Sequence, residues 1–151
     1  MVQSLEYLKG IKMEIEAFLL CDAATDNQGK LNILGAFDNF WAMQLPIKIP
    51  QCSIAARVRF DRIEEGDHPV KIQIIDQDGQ NIAPKLEGTV SIRIVPGTDS
   101  SVANLILHIQ GLEIKRFGSY QIDLAIDGQL QASLPLRVSE IPKQPEFPRP
   151  M

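Results

Sequence analysis

The chain has 151 residues, 44% of them hydrophobic and 23% charged, the balance of one ordinary soluble domain of roughly 100–200 residues rather than two. Lys and Arg total 15 against 19 Asp and Glu, a net charge of -4. The two signs alternate along the sequence instead of gathering into the basic face that DNA or RNA binding requires. No stretch approaches the roughly 18 consecutive apolar residues of a membrane helix, and the run Ala17 to Cys21 is too short for a signal-peptide core. A cytoplasmic address is the resulting expectation, and in that reducing setting Cys21 and Cys52 are expected as free thiols on or near the core.

Residues 1–12 read as an N-terminal extension. Their one helical candidate, Val2 to Lys9, has Leu5 and Leu8 three apart and is too short to hold without docking. Met13 stands where the first strand begins and is the expected natural start, which makes the extension dispensable. Glu14 to Ala24 and Leu31 to Met43 carry large apolar residues on both alternating sets, among them Phe18, Leu19, Leu20, Ile33, Leu34, Phe37, Phe40 and Trp41. Such a pattern predicts central strands covered on both sides, or strands with a bulge that switches faces.

From residue 52 onward a period of two dominates, the signature of strands with one buried and one wetted face. Cys52, Ile54, Ala56, Val58 and Phe60 alternate with Ser53, Ala55, Arg57, Arg59 and Asp61. Leu86, Val90, Ile92 and Ile94 repeat the pattern, followed by Leu105, Leu107 and Ile109, then Tyr120, Ile122, Leu124 and Ile126, then Leu130, Ala132, Leu134, Leu136 and Val138. Asp78-Gly79 and Asp127-Gly128 are hairpin signals, because a two-residue type I′ turn needs positive φ at both central positions. Asn27-Gln28-Gly29, Glu65-Gly66-Asp67 and Pro96-Gly97-Thr98-Asp99 mark further reversals. Pro135 points outward on the last strand and predicts that strand to be an edge. Four prolines in residues 142–151 set off an extended tail.

The expected fold is therefore all-β: an antiparallel, immunoglobulin-like β-sandwich of seven or eight strands over residues 13–141, with the 1–12 extension before it and the Pro-rich tail after it.

The segment Gly29-Lys30-Leu31-Asn32-Ile33-Leu34-Gly35-Ala36-Phe37-Asp38, after Leu20-Cys21-Asp22-Ala23-Ala24, resembles the opening of a family of small bacterial proteins with no assigned function. Pro46, the Asp76-Gln77-Asp78-Gly79 turn, Gly118-Ser119-Tyr120 and Asp127-Gly128 complete the likeness over Met13 to Val138. The resemblance implies an immunoglobulin-like sandwich and supplies no activity, cofactor or site residue. Each piece also has a structural reading: Gly29 suits a turn, Gly35 a bulge, and Tyr120 the corner tyrosine whose hydroxyl bonds back to the main chain.

Chemistry-bearing patterns are sparse, and no catalytic residue is assigned. His68 reads as a solvated turn residue and His108 as a face residue, with no G-x-S-x-G or comparable signature beside either. A hydrolase would need one of them joined to Ser or Cys by the fold. Zinc spacing is absent, and no phosphate-cradling loop is present. Asp76 and Asp78 have the first spacing of a calcium loop, but Gln80 breaks its continuation. Arg57, Arg59, Arg62 and Arg93 make the nearest approach to a basic stripe and read as a solvated sheet face. Two partner surfaces stand out, an open sheet edge and the tail with Phe147. The functional expectation is a non-catalytic binding or assembly module, acting through protein contacts or as a homo-oligomer, without cofactor, nucleic acid or membrane. The alternative is a calcium- or small-ligand-binding sandwich using Asp76 and Asp78.

Overall fold

The computed structural model describes residues 13–84 and 86–142. The expected extension, its helix and the start at Met13 concern residues 1–12, which lie outside the described residues, as does the tail residue Phe147.

The described residues form eleven strands: β1 (Glu14–Asn27), β2 (Lys30–Ala36), β3 (Asn39–Ala42), β4 (Ile47–Ile49), β5 (Cys52–Asp61), β6 (Gly66–Ile75), β7 (Leu86–Ile92), β8 (Ser100–Ile109), β9 (Leu112–Ile114), β10 (Gly118–Ile126) and β11 (Gln129–Glu140). A 3₁₀ turn, Arg62–Glu64, joins β5 to β6. The strands form a four-stranded sheet in the order β2-β1-β5-β8, a five-stranded sheet in the order β3-β11-β10-β6-β7, and a small β4-β9 ribbon. Among the described residues all pairings are antiparallel except β3 with β11, which run parallel. The all-β expectation holds, but seven or eight strands is too few and the antiparallel rule has one exception.

Alternation explains how the sheets share a core. Phe18 and Leu20 from β1 and Ile54, Ala56, Val58 and Phe60 from β5 meet Ile72 and Ile74 from β6, Ile122, Leu124 and Ile126 from β10, and Leu136 and Val138 from β11 in one buried cluster. Two layers packed in this way remove apolar area from water on one face of each sheet, the main favourable term in folding. A smaller cluster of Cys21, Ala24 and Ala55 lies on the outer side of the four-stranded sheet beneath Leu31, Ile33 and Ile106.

The dense segment Leu31 to Met43 is two strands in two sheets: β2 pairs with β1 and β3 pairs with β11. Its apolar residues occupy both alternating sets because the chain changes layer near Phe37 and Asp38. No register shift accompanies Gly35: Cys21↔Ala36 and Ala23↔Leu34 keep one register, and the Asp22↔Gly35 pair between them is missing. Gly35 adopts φ +68°, and the Asp22 carboxylate occupies the place a Cβ would take. A side chain there would be both strained and obstructed.

Asp127 (φ 56°) and Gly128 (φ 76°) form the two-residue turn that closes β10 on β11. Gln28 (φ 54°) and Gly29 (φ 79°) do the same between β1 and β2. Asp78-Gly79 departs from the type I′ expectation: only Gly79 has positive φ, and the turn is spanned by bonds from Gly79 N–H to Asp76 and from Asp76 N–H to Gln80. Pro135 sits opposite Gln121 of β10. β11 as a whole is not an edge, because β3 covers it over Arg137–Glu140; only the stretch that contains Pro135 has a neighbour on one side alone.

Candidate functional site

The true edges of the two main sheets include β8 and β7, and they lie side by side. Among the described residues β8 pairs only with β5 along its whole length, from Cys52↔Ile109 to Asp61↔Ser100, and β7 only with β6. Among the described residues no loop main chain bonds to the far side of β8. Between the two edges runs a groove of about 420 Å³ whose apolar lining includes Val70, Ile72, Leu86, Val90, Leu105 and Leu107. Leu105 and Leu107 reach it because they alternate onto the inner face, opposite Ala56 and Ile54. Gly88 sits on β7 between Leu86 and Val90, and a Cβ placed there would meet nothing within 4 Å. Among the described residues the core is thus left open along one side, next to a row of main-chain donors and acceptors without strand partners.

Other strand edges are blunted in familiar ways. β2 begins with exposed Lys30 and bends at Gly35, β3 is four residues long, the open stretch of β11 contains Pro135, and β7 carries Glu87. β8 has none of these devices: Ser100–Ile109 contains no Asp, Glu, Lys, Arg, Pro or Gly. That ten-residue uncharged run was visible in the sequence, but its place at an edge depends on the sheet order. A second hollow of about 780 Å³ lies over the outer face of the five-stranded sheet, lined in part by Lys71, Gln73, Glu87 and Asp123.

The two aspartates singled out from the sequence serve a turn. Asp76 Oδ1 accepts the N–H groups of Asp78 and Gln80 at 2.9 and 3.0 Å. The Arg116 guanidinium donates to Asp76 Oδ2 at 3.1 Å and to Asp78 Oδ2 at 3.2 Å. The Gln80 amide above all, with the Asp78 amide and Arg116, holds the Asp76 carboxyl below its ordinary pKa against the opposing effect of burial. Both carboxylates are therefore turned toward a cation the chain itself supplies. Tyr120 completes the corner: its hydroxyl donates to the Arg116 carbonyl at 2.6 Å, as its place at the opening of β10 led one to expect. Among the described residues no three His, Cys, Asp or Glu side chains gather as a metal-binding group.

His68 is not a solvated turn residue. It lies on β6, 9% exposed, with its ring centroid 4.9 Å from that of Phe60. Nδ1 faces Asp127 Oδ2 at 2.8 Å, and Nε2 faces the Glu64 carbonyl. The local run Gly66-Asp67-His68-Pro69 has turn composition, yet it pairs with β7 through Gly66↔Ile92 to Pro69↔Thr89. Tertiary pairing overrides propensity here.

His108 is exposed on the outer face of β8, and its Nδ1 lies 3.0 Å from Ser53 Oγ. Ser53 and His108 are cross-strand partners, so the contact follows from register and was unreadable at a separation of 55 residues. Ser53 has no exposed surface, which leaves its hydroxyl out of reach of an external substrate in this state. Cys21 and Cys52 are both free and buried; desolvation raises both thiols above their ordinary pKa, the opposite of an activated nucleophile. Arg57 and Arg59 are not a free basic stripe: both bind Glu16, at 3.0 and 2.7 Å, and Arg57 also donates to Asn104.

These observations define an all-β, sandwich-like domain with one open, apolar-lined edge. The chain belongs to the family of unknown function DUF6941, whose family model matches residues 16–139. No curated protein matches it. Similar solved structures include the alkylpurine DNA glycosylase AlkC of Pseudomonas fluorescens bound to DNA containing an abasic site analog (TM-score 0.49, 6% identity, 88% of this chain and 32% of that one). Another is a β-glucosidase from Listeria innocua (TM-score 0.49, 4% identity, 85% of this chain and 16% of that one). An immunoglobulin-like protein from Pseudomonas aeruginosa is similar over 84% of this chain and 96% of that one, with a TM-score of 0.37 and 14% identity. This chain spans only about a third of the glycosylase and a sixth of the glucosidase, and neither activity transfers to it at such identities.

Proposed function

We propose that this protein is a non-catalytic, immunoglobulin-like β-sandwich that works as a protein-binding or assembly module, receiving an extended strand along β8. The observation that carries the reading is the unblunted β8 edge beside an apolar groove. Strand addition joins two kinds of recognition: main-chain bonds to the edge give affinity, and alternate side chains entering a groove give specificity. Leu86, Val90, Leu105 and Leu107 supply the groove, and the empty space over Gly88 receives a guest side chain. The buried free thiols fit a reducing, cytoplasmic setting.

A labelled peptide of alternating valine and threonine, as long as β8, is the probe. Saturable binding is expected, with amide protection gained in Val102–Leu107. Gly88→Val fills the groove without entering a forbidden backbone region and should weaken binding by about tenfold or more. Absence of binding, or protection gained only on other strands, refutes the reading.

A further inference from the structure

Resting on that strand-accepting reading, we propose that the strand β8 receives is β8 of a second copy of this chain. The two strands would run antiparallel across a two-fold axis and merge two four-stranded sheets into one continuous sheet. A two-fold interface is self-complementary, so every group on the strand must tolerate the same strand facing it. β8 meets this condition through its lack of charge between Ser100 and Ile109. Pairing of β7 with itself would place two copies of Glu87 on one short ladder, and pairing of β2 would do the same with Lys30. Like charges on facing strands are unfavourable.

The geometry of antiparallel pairing accommodates the same partner. Directly opposed residues share a face of the sheet, and a two-fold axis through β8 pairs inner positions with inner and outer with outer. Ala103, Leu105 and Leu107, which are only partly buried in one copy, then cover their counterparts above the groove. On the outer face, Val102, Asn104, Ile106 and His108 oppose one another. Ile106 belongs to the apolar patch with Leu31 and Ile33 over buried Cys21, Ala24 and Ala55, so pairing brings the patches of both copies toward a common seam. A single strand pair is a small interface beside the roughly 1,200 Å² of stable specific ones. The dimer is accordingly expected to be reversible, with a dissociation constant on the order of micromolar.

Sedimentation of the full chain from micromolar to millimolar concentration tests the proposal together with hydrogen exchange at both extremes. Expected are a monomer–dimer equilibrium and amide protection that rises with concentration in β8 while β2 and β7 stay unchanged. Val102→Lys, on the outer face of β8, should weaken the dimer by about tenfold or more. Leu130→Lys, exposed on β11, should leave it unaltered; circular dichroism of both variants reports whether they fold. A monomer at every concentration, or a dimer whose β8 amides gain no protection, overturns the proposal. If the valine–threonine peptide still binds β8 of that monomer, the module reading survives alone; if neither the dimer nor the peptide forms on β8, both are overturned.

Discussion

His68 holds three elements together with one ring. Its two nitrogens face two acceptors, the Asp127 carboxylate and the Glu64 carbonyl. A neutral imidazole can donate only one of these bonds, while the imidazolium donates both. Burial by itself would lower the pKa, but the Glu64 carbonyl bond, the Asp127 bond and the negative charges of Asp127 and Glu64 outweigh it and raise the value above the ordinary 6.5. The native state therefore binds this proton more tightly than the unfolded chain does. Its contribution to stability is fully present below pH 6.5 and is lost as the pH rises through the raised native value. Thermal midpoints measured across neutral pH should fall with increasing pH in that window, and His68→Phe should remove that component while also lowering the midpoint at acidic pH. An unchanged pH profile in the variant would show that another group governs it. The magnitude is modest, because the Asp127 side chain is 42% exposed and solvent screens the pair.

At the level of elements, the corner before β10 shows how a turn cluster is assembled from distant pieces. Arg116 reaches across to Asp76 and Asp78 in the turn after β6, and its carbonyl is held in turn by the Tyr120 hydroxyl. Tyr120→Phe keeps the buried ring and deletes one hydrogen bond, so a loss of about 1 kcal/mol in urea unfolding is expected. Because Arg116 already occupies both carboxylates, millimolar calcium should leave the melting temperature where a chelator leaves it; a clear rise would reveal native-state binding and restore the calcium reading for Asp76 and Asp78. This corner was half legible in the sequence. The tyrosine position and the turn could be read locally, whereas Arg116, 40 residues from Asp76, could not. The same divide applies elsewhere. Alternation located β5, β8, β10 and β11, and Asp127-Gly128 located their tightest turn. β6 was missed because turn-forming residues open it, β3 because the chain changes sheets without any break in apolar pattern. The edge expected at β11 from its outward proline is only the stretch that β3 leaves uncovered, and a proline says nothing about which other strand lies unprotected.

For the whole molecule, the order in which the chain visits its layers decides how it must unfold. β1 and β2 lie in the four-stranded sheet, β3 in the other, β5 back in the first, β6 and β7 in the second, β8 again in the first, and β10 and β11 in the second. Neither sheet is a contiguous piece of sequence, so neither can fold apart from the other, and each closes its core only with side chains from both. Such interleaving favours a single cooperative transition and the slow folding of non-local β pairings, in milliseconds to seconds. Phe60 from the four-stranded sheet and Ile122 from the five-stranded one are both fully buried in the shared cluster. Phe60→Ala and Ile122→Ala should each destabilise by about 2–5 kcal/mol, and each should shift the same transition. Near-ultraviolet dichroism, reporting Trp41 on β3 and the tyrosines, and far-ultraviolet dichroism, reporting all strands, should move together in denaturant. Separation of the two signals in either variant would mean that one sheet persists without the other, and that the two layers are energetically distinct despite sharing a core.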